Sequence, residues 1–309
     1  MTTASDRPLV RYVGRVYDSS RWQGFALRSD DIIISTPPKC GTTWTQMICA
    51  LLILQSTELP DRLANLSPWL DMLTRSRKEI MALLDTQTHR RFIKTHTPLP
   101  GLPFRDGVTY ICVGRDPRDV ALSMDDHLAN MDWDGFHRAR VVAAREDGLP
   151  EPERTPPPPL DQMTDRERFW RWVDDDTPPT ESSSSLLQTL RHVESFWAER
   201  NRSNVVLLHY QDLKTDLQGQ MGTLAARLGI EVPNAIWPSL VEAATFESMR
   251  SNSDRTGPSP GIWKDQTRFF NRARSGEWRS LLGGDDRRRY GGRVSSLVTP
   301  DLEAWLHRS

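Results

Sequence analysis

Four short apolar runs punctuate the first two thirds of the chain: Ile32–Ser35, Arg91–Thr95 (RFIKT), Val108–Val113 (VTYICV) and Val205–His209 (VVLLH). They are rich in β-branched and aliphatic residues, and they read as strands buried on both faces. Amphipathic segments follow or separate them: Thr43–Leu54 (TWTQMICALLIL), Asp116–Leu128, Leu186–Glu199 and Leu217–Leu228. The second of these opens with acidic residues in its first turn, as helix starts prefer. Strands spaced by helices predict an α/β fold, a central parallel β-sheet flanked by helices. Residues 1–309 are expected to form a single domain.

Residues 145–185 break this pattern. REDGLPEPERTPPPPLDQ and DDDTPPTESSSS enclose a short aromatic island, RERFWRWV. A Pro-rich stretch of this length inside a compact domain reads either as a functional lid or as a surface excursion. Further on, WKDQTRFFNRARSGEWRSLL is basic and aromatic with no clear period.

Composition narrows the function classes. Hydrophobic residues make up 37% of the chain, charged residues 26%, and the net charge is -1. That is a globular chain without the basic surface that general nucleic-acid binding requires, so any anion site must be a local cluster. The three cysteines, Cys40, Cys49 and Cys112, form no CxxC pair. Neither a disulfide framework nor a thiolate zinc site is indicated, and a reducing cytoplasm is the expected location. No apolar run approaches membrane-spanning length and the first residues lack the apolar core of a signal peptide, so no integral membrane segment is expected.

The candidate chemistry begins at ISTPPKCGTTW, residues 34–44, a strand, a tight turn and a helix start. Amide groups at a helix start are unpaired and bind anions without side-chain charge. Gly41 permits close backbone approach, Thr42 and Thr43 add hydroxyl donors, and Lys39 stands at the rim as a point charge. The usual phosphate loop carries its lysine after the last glycine; here Lys39 precedes Gly41. A plain strand–turn–helix junction with a solvated lysine is the bland alternative. In RFIKTHTPL, Lys94 and His96 are two residues apart and project the same way from an extended chain. Ligands of open α/β sheets collect at the carboxyl ends of strands, which would bring Lys39, Lys94 and His96 to one edge. A histidine there can take a proton from a hydroxyl near neutral pH. Arg115 ends another strand, with Ser123 eight residues on in the following helix. Its guanidinium can bind a second phosphate, or simply pair with Asp116 or Asp119.

Taken together, these residues resemble the cytosolic-type sulfotransferases, which use 3′-phosphoadenosine-5′-phosphosulfate (PAPS), over about Asp30 to Ser280. ISTPPKCGTTW is similar to that family's 5′-phosphosulfate loop, FIKTHTPL to its catalytic-histidine strand, and VGRDPRDVALS to its 3′-phosphate segment. VVLLHYQDLKTD and FFNRARSGEWRSLL are similar to its adenine-contacting and C-terminal segments. The resemblance implies transfer of a sulfuryl group from PAPS to a hydroxyl acceptor, leaving 3′-phosphoadenosine-5′-phosphate (PAP). It implies that the loop amides from Cys40 and Gly41 onward, with Thr42 and Thr43, hold the 5′-phosphate. Lys39 would face the bridging oxygen. Trp44 and Phe246 would stack on adenine, with Tyr210 at its edge. Arg115, Ser123 and Arg272 would hold the 3′-phosphate. His96 would be the general base, and Lys94 would stabilise charge on the group in flight. By analogy with phosphoryl transfer, positioning and fixed positive charge do most of the catalysis. Sulfate carries less charge than phosphate, so lysines can stand in for a metal, and no metal is expected.

The chain departs from the family pattern in four places. Cys40 stands where serine is common, which makes the loop oxidation-sensitive if the thiolate is stabilised there. Pro38 replaces an aromatic residue. The C-terminal Arg-Lys-Gly reads Asn271-Arg272-Ala273, with Arg268 or Arg274 as substitutes for the missing basic contact. The dimer motif of many animal members has no clear counterpart in RSLLGGDDRRRY, so the oligomeric state is left open. Two competing readings are a nucleotide kinase with an unusual phosphate loop, which lacks the expected lysine, and a PAPS-binding protein without catalysis, which should lack His96 or Lys39. The acceptor is expected to be a small phenol, an alcohol or a glycolipid. Phe169, Trp170, Arg171 and Trp172, with Phe196, Trp197, Leu99, Phe104 and Phe136, are the candidate wall of an apolar pocket, or else ordinary core. The run Asp174–Asp176 reads as a solvated face. His127 and His192 are assigned no role.

Overall fold

Strands β1 (Ile32–Ser35), β2 (Phe92–Thr95), β3 (Thr109–Gly114) and β4 (Val205–His209) form one parallel sheet in the order β2-β1-β3-β4. This computed structural model describes residues 8–154, 156, 159–182, 184–258, 261–270 and 275–308. The expected α/β architecture is present. Two strand starts move by one residue. Arg91 lies just before β2, its side chain in a buried pair with Asp31.

Both faces of the sheet are covered, which is why its strands read as continuous apolar runs. On one face, Ile32, Ile34, Phe92 and Ile111 pack against helix Thr42–Leu54 and helix Leu217–Leu228. On the other, Ile33, Ile93, Tyr110 and Cys112 meet helix Leu186–Trp197, helix Asp165–Val173 and the C-terminal helices Gly284–Ser295 and Pro300–Leu306. The chain passes from β1 outward to β2, then crosses back to place β3 on the other side of β1. The reversal makes the carboxyl end of β1 a switch point, where open sheets offer a crevice.

The aromatic island corrects one expectation. It is helix Asp165–Val173, started by a capping box between Thr164 and Glu167. Phe169, Trp170 and Trp172 turn into the core with Leu186 and Phe196. Leu99 belongs to the same core, with Phe104 and Trp197 packed against it, so this set builds packing and not a pocket wall. The acidic run is a solvated face, as expected, with Asp174 and Asp176 exposed and paired at the surface with Arg289 and Arg293. Both partners lie on helix Gly284–Ser295.

Arg91 donates to Asp31 through Nε at 2.7 Å and Nη2 at 2.5 Å, and both side chains are excluded from solvent. This fork joins the starts of β1 and β2. Removing one partner leaves a buried charge uncompensated. Asp31→Ala is expected to lose about 3–5 kcal/mol of unfolding free energy, measured by urea denaturation. A loss below about 1 kcal/mol would show that the pair is not a structural joint.

Candidate active site

The loop after β1 takes its shape from two residues in left-handed conformations, Lys39 (φ 66) and Gly41 (φ 96). Only glycine is at ease there. A Cβ on Gly41 would also lie 3.1 Å from the Tyr210 ring. Lys39 holds its less favourable backbone because its carbonyl accepts a hydrogen bond from Arg115 Nη1 at 2.8 Å. Gly41 then caps helix Thr42–Leu54 without a side chain, and the helix opens with its amides toward a cavity of about 550 Å³. Closely spaced amides in such a turn form a concave anion seat.

Thr36 Oγ1 and Thr42 Oγ1 lie 2.5 Å apart. The Thr36 hydroxyl donates to the Pro37 carbonyl, which leaves Thr42 as donor in the pair. The Thr42 hydroxyl is therefore engaged within the loop, while its amide stays at the helix start. Thr43 and Trp44 line the cavity beside it. Trp44 Nε1 donates to the Ala244 carbonyl at 2.8 Å. That bond brings the helix start next to Phe246, which begins a short helix and also lines the cavity.

His96 lies just beyond β2, buried, with its ring edge-on to Trp69 at 4.6 Å between centroids. Its Nδ1 is 2.6 Å from the Thr36 carbonyl oxygen. A carbonyl only accepts, so Nδ1 carries the proton and Nε2 keeps its lone pair. Burial, with Lys94 adding to it, holds the imidazole well below its ordinary pKa and hence neutral, against the opposing Thr36 bond. Lys94 Nζ lies 4.5 Å from the Trp69 ring centroid, and Lys39 Nζ lies 5.0 Å from that of Phe269. Burial lowers both lysines to about 8; Arg115 and Lys94 add to the effect at Lys39. Asp126 near Lys39 and Asp71 near Lys94 oppose that lowering only in part, and cations held so close together are poised to receive an anion.

Arg115 lies over the Tyr210 ring at 4.3 Å, and Ser123 lines the same cavity two turns into helix Pro117–Ala129. The alternative pairing of Arg115 with its neighbours is not what organises them. Asp116 binds Arg118, and Asp119 accepts the Gly276 amide at 2.8 Å. Thus Lys39, Gly41, Thr42, Thr43, Trp44, Lys94, His96, Arg115, Ser123, Tyr210 and Phe246 all line one cavity. Cys40 is buried behind them, and burial pushes its thiol up to about 12. The thiolate is disfavoured, so the loop lacks the oxidation sensitivity that a stabilised thiolate would bring. Arg272 and Arg274 lie outside the described residues; Arg268 lines the cavity. Of the residues suggested for an acceptor wall, Phe136 does line it.

Three aromatic contributions escaped sequence reasoning. Trp69 and Phe269 touch the lysines, and His127 lines the cavity with its ring 4.8 Å from Trp263. Trp69 sits in a segment without strand periodicity, so no local pattern marks it. His127 is on the same helix as Ser123 at i+4, a spacing that marks a shared face once Ser123 is placed.

Residues 29–291 match the sulfotransferase domain family. The chain belongs to the sulfotransferase family. Glycolipid sulfotransferases of Mycobacterium bovis and Mycobacterium tuberculosis are 40% and 39% identical to it, each over 98% of this chain and 96% of their own. The same fold occurs in a mouse sulfotransferase complexed with PAP, at TM-score 0.68 and 19% identity over 94% of this chain and 93% of that one. Retinol dehydratase in complex with androsterone and PAP also shares it, at TM-score 0.62 and 20% identity over 92% and 87%. The expectation of an enzyme of the PAPS-dependent sulfotransferase class is met at the level of the family, and the kinase alternative falls. Among the described residues, no helix is long and apolar enough to cross a membrane.

The lowered lysines give the site a pH dependence of definite sign. Below about 8 both carry the charge an anion needs; as pH rises through 8 they lose it. Affinity for PAP is expected to fall by about tenfold or more between about pH 7.5 and about pH 9.5. Adenosine, which carries no phosphate, should show no such loss. Calorimetric titration at each pH decides it, and a flat PAP profile would remove the lysines from the anion site.

Proposed function

We propose that this sulfotransferase moves a sulfuryl group from PAPS to a hydroxyl of a glycolipid, with His96 as general base. The observation that carries the reading is the convergence of a neutral imidazole, with Nε2 unprotonated, and two lysines on the edge of an anion-binding loop. The acceptor oxygen attacks sulfur and its proton passes to His96 Nε2. The bond from sulfur to the bridging oxygen breaks, and its electron pair leaves with PAP. The residues fit the donor. The loop amides from Cys40 to Trp44, with the Thr43 hydroxyl, would hold the 5′-phosphate. Lys39 would offset charge growing on the leaving group, and Lys94 charge on the group in flight. Trp44, Phe246 and Tyr210 would enclose the adenine. Arg115 and Ser123, with Arg268, Arg272 or Arg274, would hold the 3′-phosphate. Fixed lysines supply the positive charge, so transfer needs no metal.

A glycolipid acceptor is supported by the names of the mycobacterial relatives and by the rest of the cavity. Met72, Met131, Phe136 and Ile262 form an apolar cluster on its wall, and Trp133 and Trp263 pack against them. Asp175 and Glu181, from the Pro- and Ser-rich segment, reach its rim. Aromatic faces suit sugar rings, and carboxylates accept from their hydroxyls. Of the expected lid over residues 145–185, that rim placement supports only the part after the core helix, around Asp175 and Glu181, within a single domain. Cys40, Cys49 and Cys112 are free and buried, which suits a cytoplasmic protein.

Two substitutions separate the roles. His96→Ala should lower transfer by about a thousandfold while leaving PAP affinity within about threefold. Unchanged turnover sinks the base assignment. Arg115→Ala should weaken PAP by about tenfold more than it weakens adenosine 5′-phosphate, which lacks the 3′-phosphate but shares the loss of the Lys39 contact in the loop. An equal loss for both ligands would move the 3′-site elsewhere.

For the acceptor, purified protein, PAPS and a mycobacterial lipid extract are incubated with and without EDTA and read by mass spectrometry. A glycolipid gaining one sulfate in both samples is expected. Sulfation of phenols but not of glycolipids would reassign the acceptor, and loss with EDTA would refute metal independence.

A further inference from the structure

We propose that Asp71 is the positioning residue of the catalytic strand, tying down both neighbours of His96 and setting a negative charge behind Lys94. The inference rests on the roles given to His96 and Lys94 above. β2 is an edge strand, and its open side is covered by the segment Pro68–Asp71. The Lys94 amide donates to the Pro68 carbonyl at 3.0 Å, and the Leu70 amide donates to the Lys94 carbonyl at 3.3 Å. This pairing delivers the Asp71 carboxylate to the β2 face opposite the cavity.

Side chains alternate along an extended chain. Lys94 and His96 face the cavity, so Thr95 and Thr97 face away. Both donate to Asp71 Oδ2, Thr95 Oγ1 at 2.7 Å and Thr97 Oγ1 at 2.5 Å. The Thr97 amide donates to Thr95 Oγ1 at 2.9 Å, which confirms that the Thr95 hydroxyl proton is directed at Asp71. Trp22 Nε1 adds a third donor at 3.1 Å. One oxygen that receives three donors belongs to an acceptor, as a carboxylate is. The clamp therefore fixes the residues immediately before and after His96, and with them the direction of its ring.

Asp71 is fully buried, and among the described residues no hydrogen-bond partner is found for its Oδ1. A buried carboxylate is costly unless it does electrostatic service. The charged and titratable groups that sense it are Lys94, Arg21 and Tyr17. Lys94 has in addition the like charge of Lys39 and the neutral rings of His96 and His127 on the cavity side. Asp71 is the group that opposes the loss of the Lys94 proton caused by burial.

Asp71→Asn keeps an oxygen acceptor for the two hydroxyls and removes the charge. In protein labelled with 13C at lysine Cε, the Lys94 resonance is identified by its loss in Lys94→Arg. Its titration midpoint should fall by about one pH unit or more in Asp71→Asn. It should return toward the wild-type value in Asp71→Glu. An unmoved midpoint overturns the charge role. Thr95→Val with Thr97→Val removes the clamp; those two hydroxyls also hold the Asp71 carboxyl down against burial, so this pair is read by rate and not by the Lys94 midpoint. It should slow sulfate transfer from PAPS to the lipid extract by about tenfold, with PAP affinity unchanged. An unchanged rate overturns the positioning role, and decides alone if Asp71→Asn does not fold. The resonance measurement needs no turnover, so a wild-type protein that transfers no sulfate counts against the proposed function and not against Asp71.

Discussion

The bond from His96 Nδ1 to the Thr36 carbonyl is the constraint on which the site depends. Thr36 begins the turn that leaves β1, and His96 follows β2 directly. One hydrogen bond thus joins the proposed anion-binding loop to the proposed base, fixes the imidazole tautomer and presents Nε2. It works because β1 and β2 run parallel in register, Ser35 beside Thr95, so both leave the sheet at the same level. A slip of one residue would turn His96 to the other face.

Around that bond the fold collects positive charge. Arg115 shapes the loop through the Lys39 carbonyl and shares the cavity with Lys39 and Lys94. Aromatic faces lie beside the lysines: Trp69 under Lys94 and Phe269 under Lys39. Such contacts favour a cation without neutralising it. The site is held ready for an anion, at the cost of weakened protonation when none is present.

Much of this was legible from local pattern. Strands buried on both faces leave unbroken apolar runs, so all four were readable to within a residue. The strand–turn–helix junction was readable because its determinants, a turn glycine and a helix start, are contiguous. The spacing of Lys94 and His96 was readable because alternation in a strand is geometric. The aromatic island was less transparent. Burial of Phe169, Trp170 and Trp172 depends on helices more distant in the chain, and an aromatic run looks the same in a core as in a ligand wall.

The sequence by itself determined the sheet, the anion loop and the presence of a histidine and two lysines at strand ends, because each is written in a few adjacent residues. Tertiary structure alone decided the state of those groups. The lowered lysines, the neutral imidazole and the protonated Cys40 arise from burial, which no single segment encodes. It also decided the partners Trp69, Asp71 and Phe269, whose contacts with the site are made by chain segments folding across the edge of the sheet and over the loop.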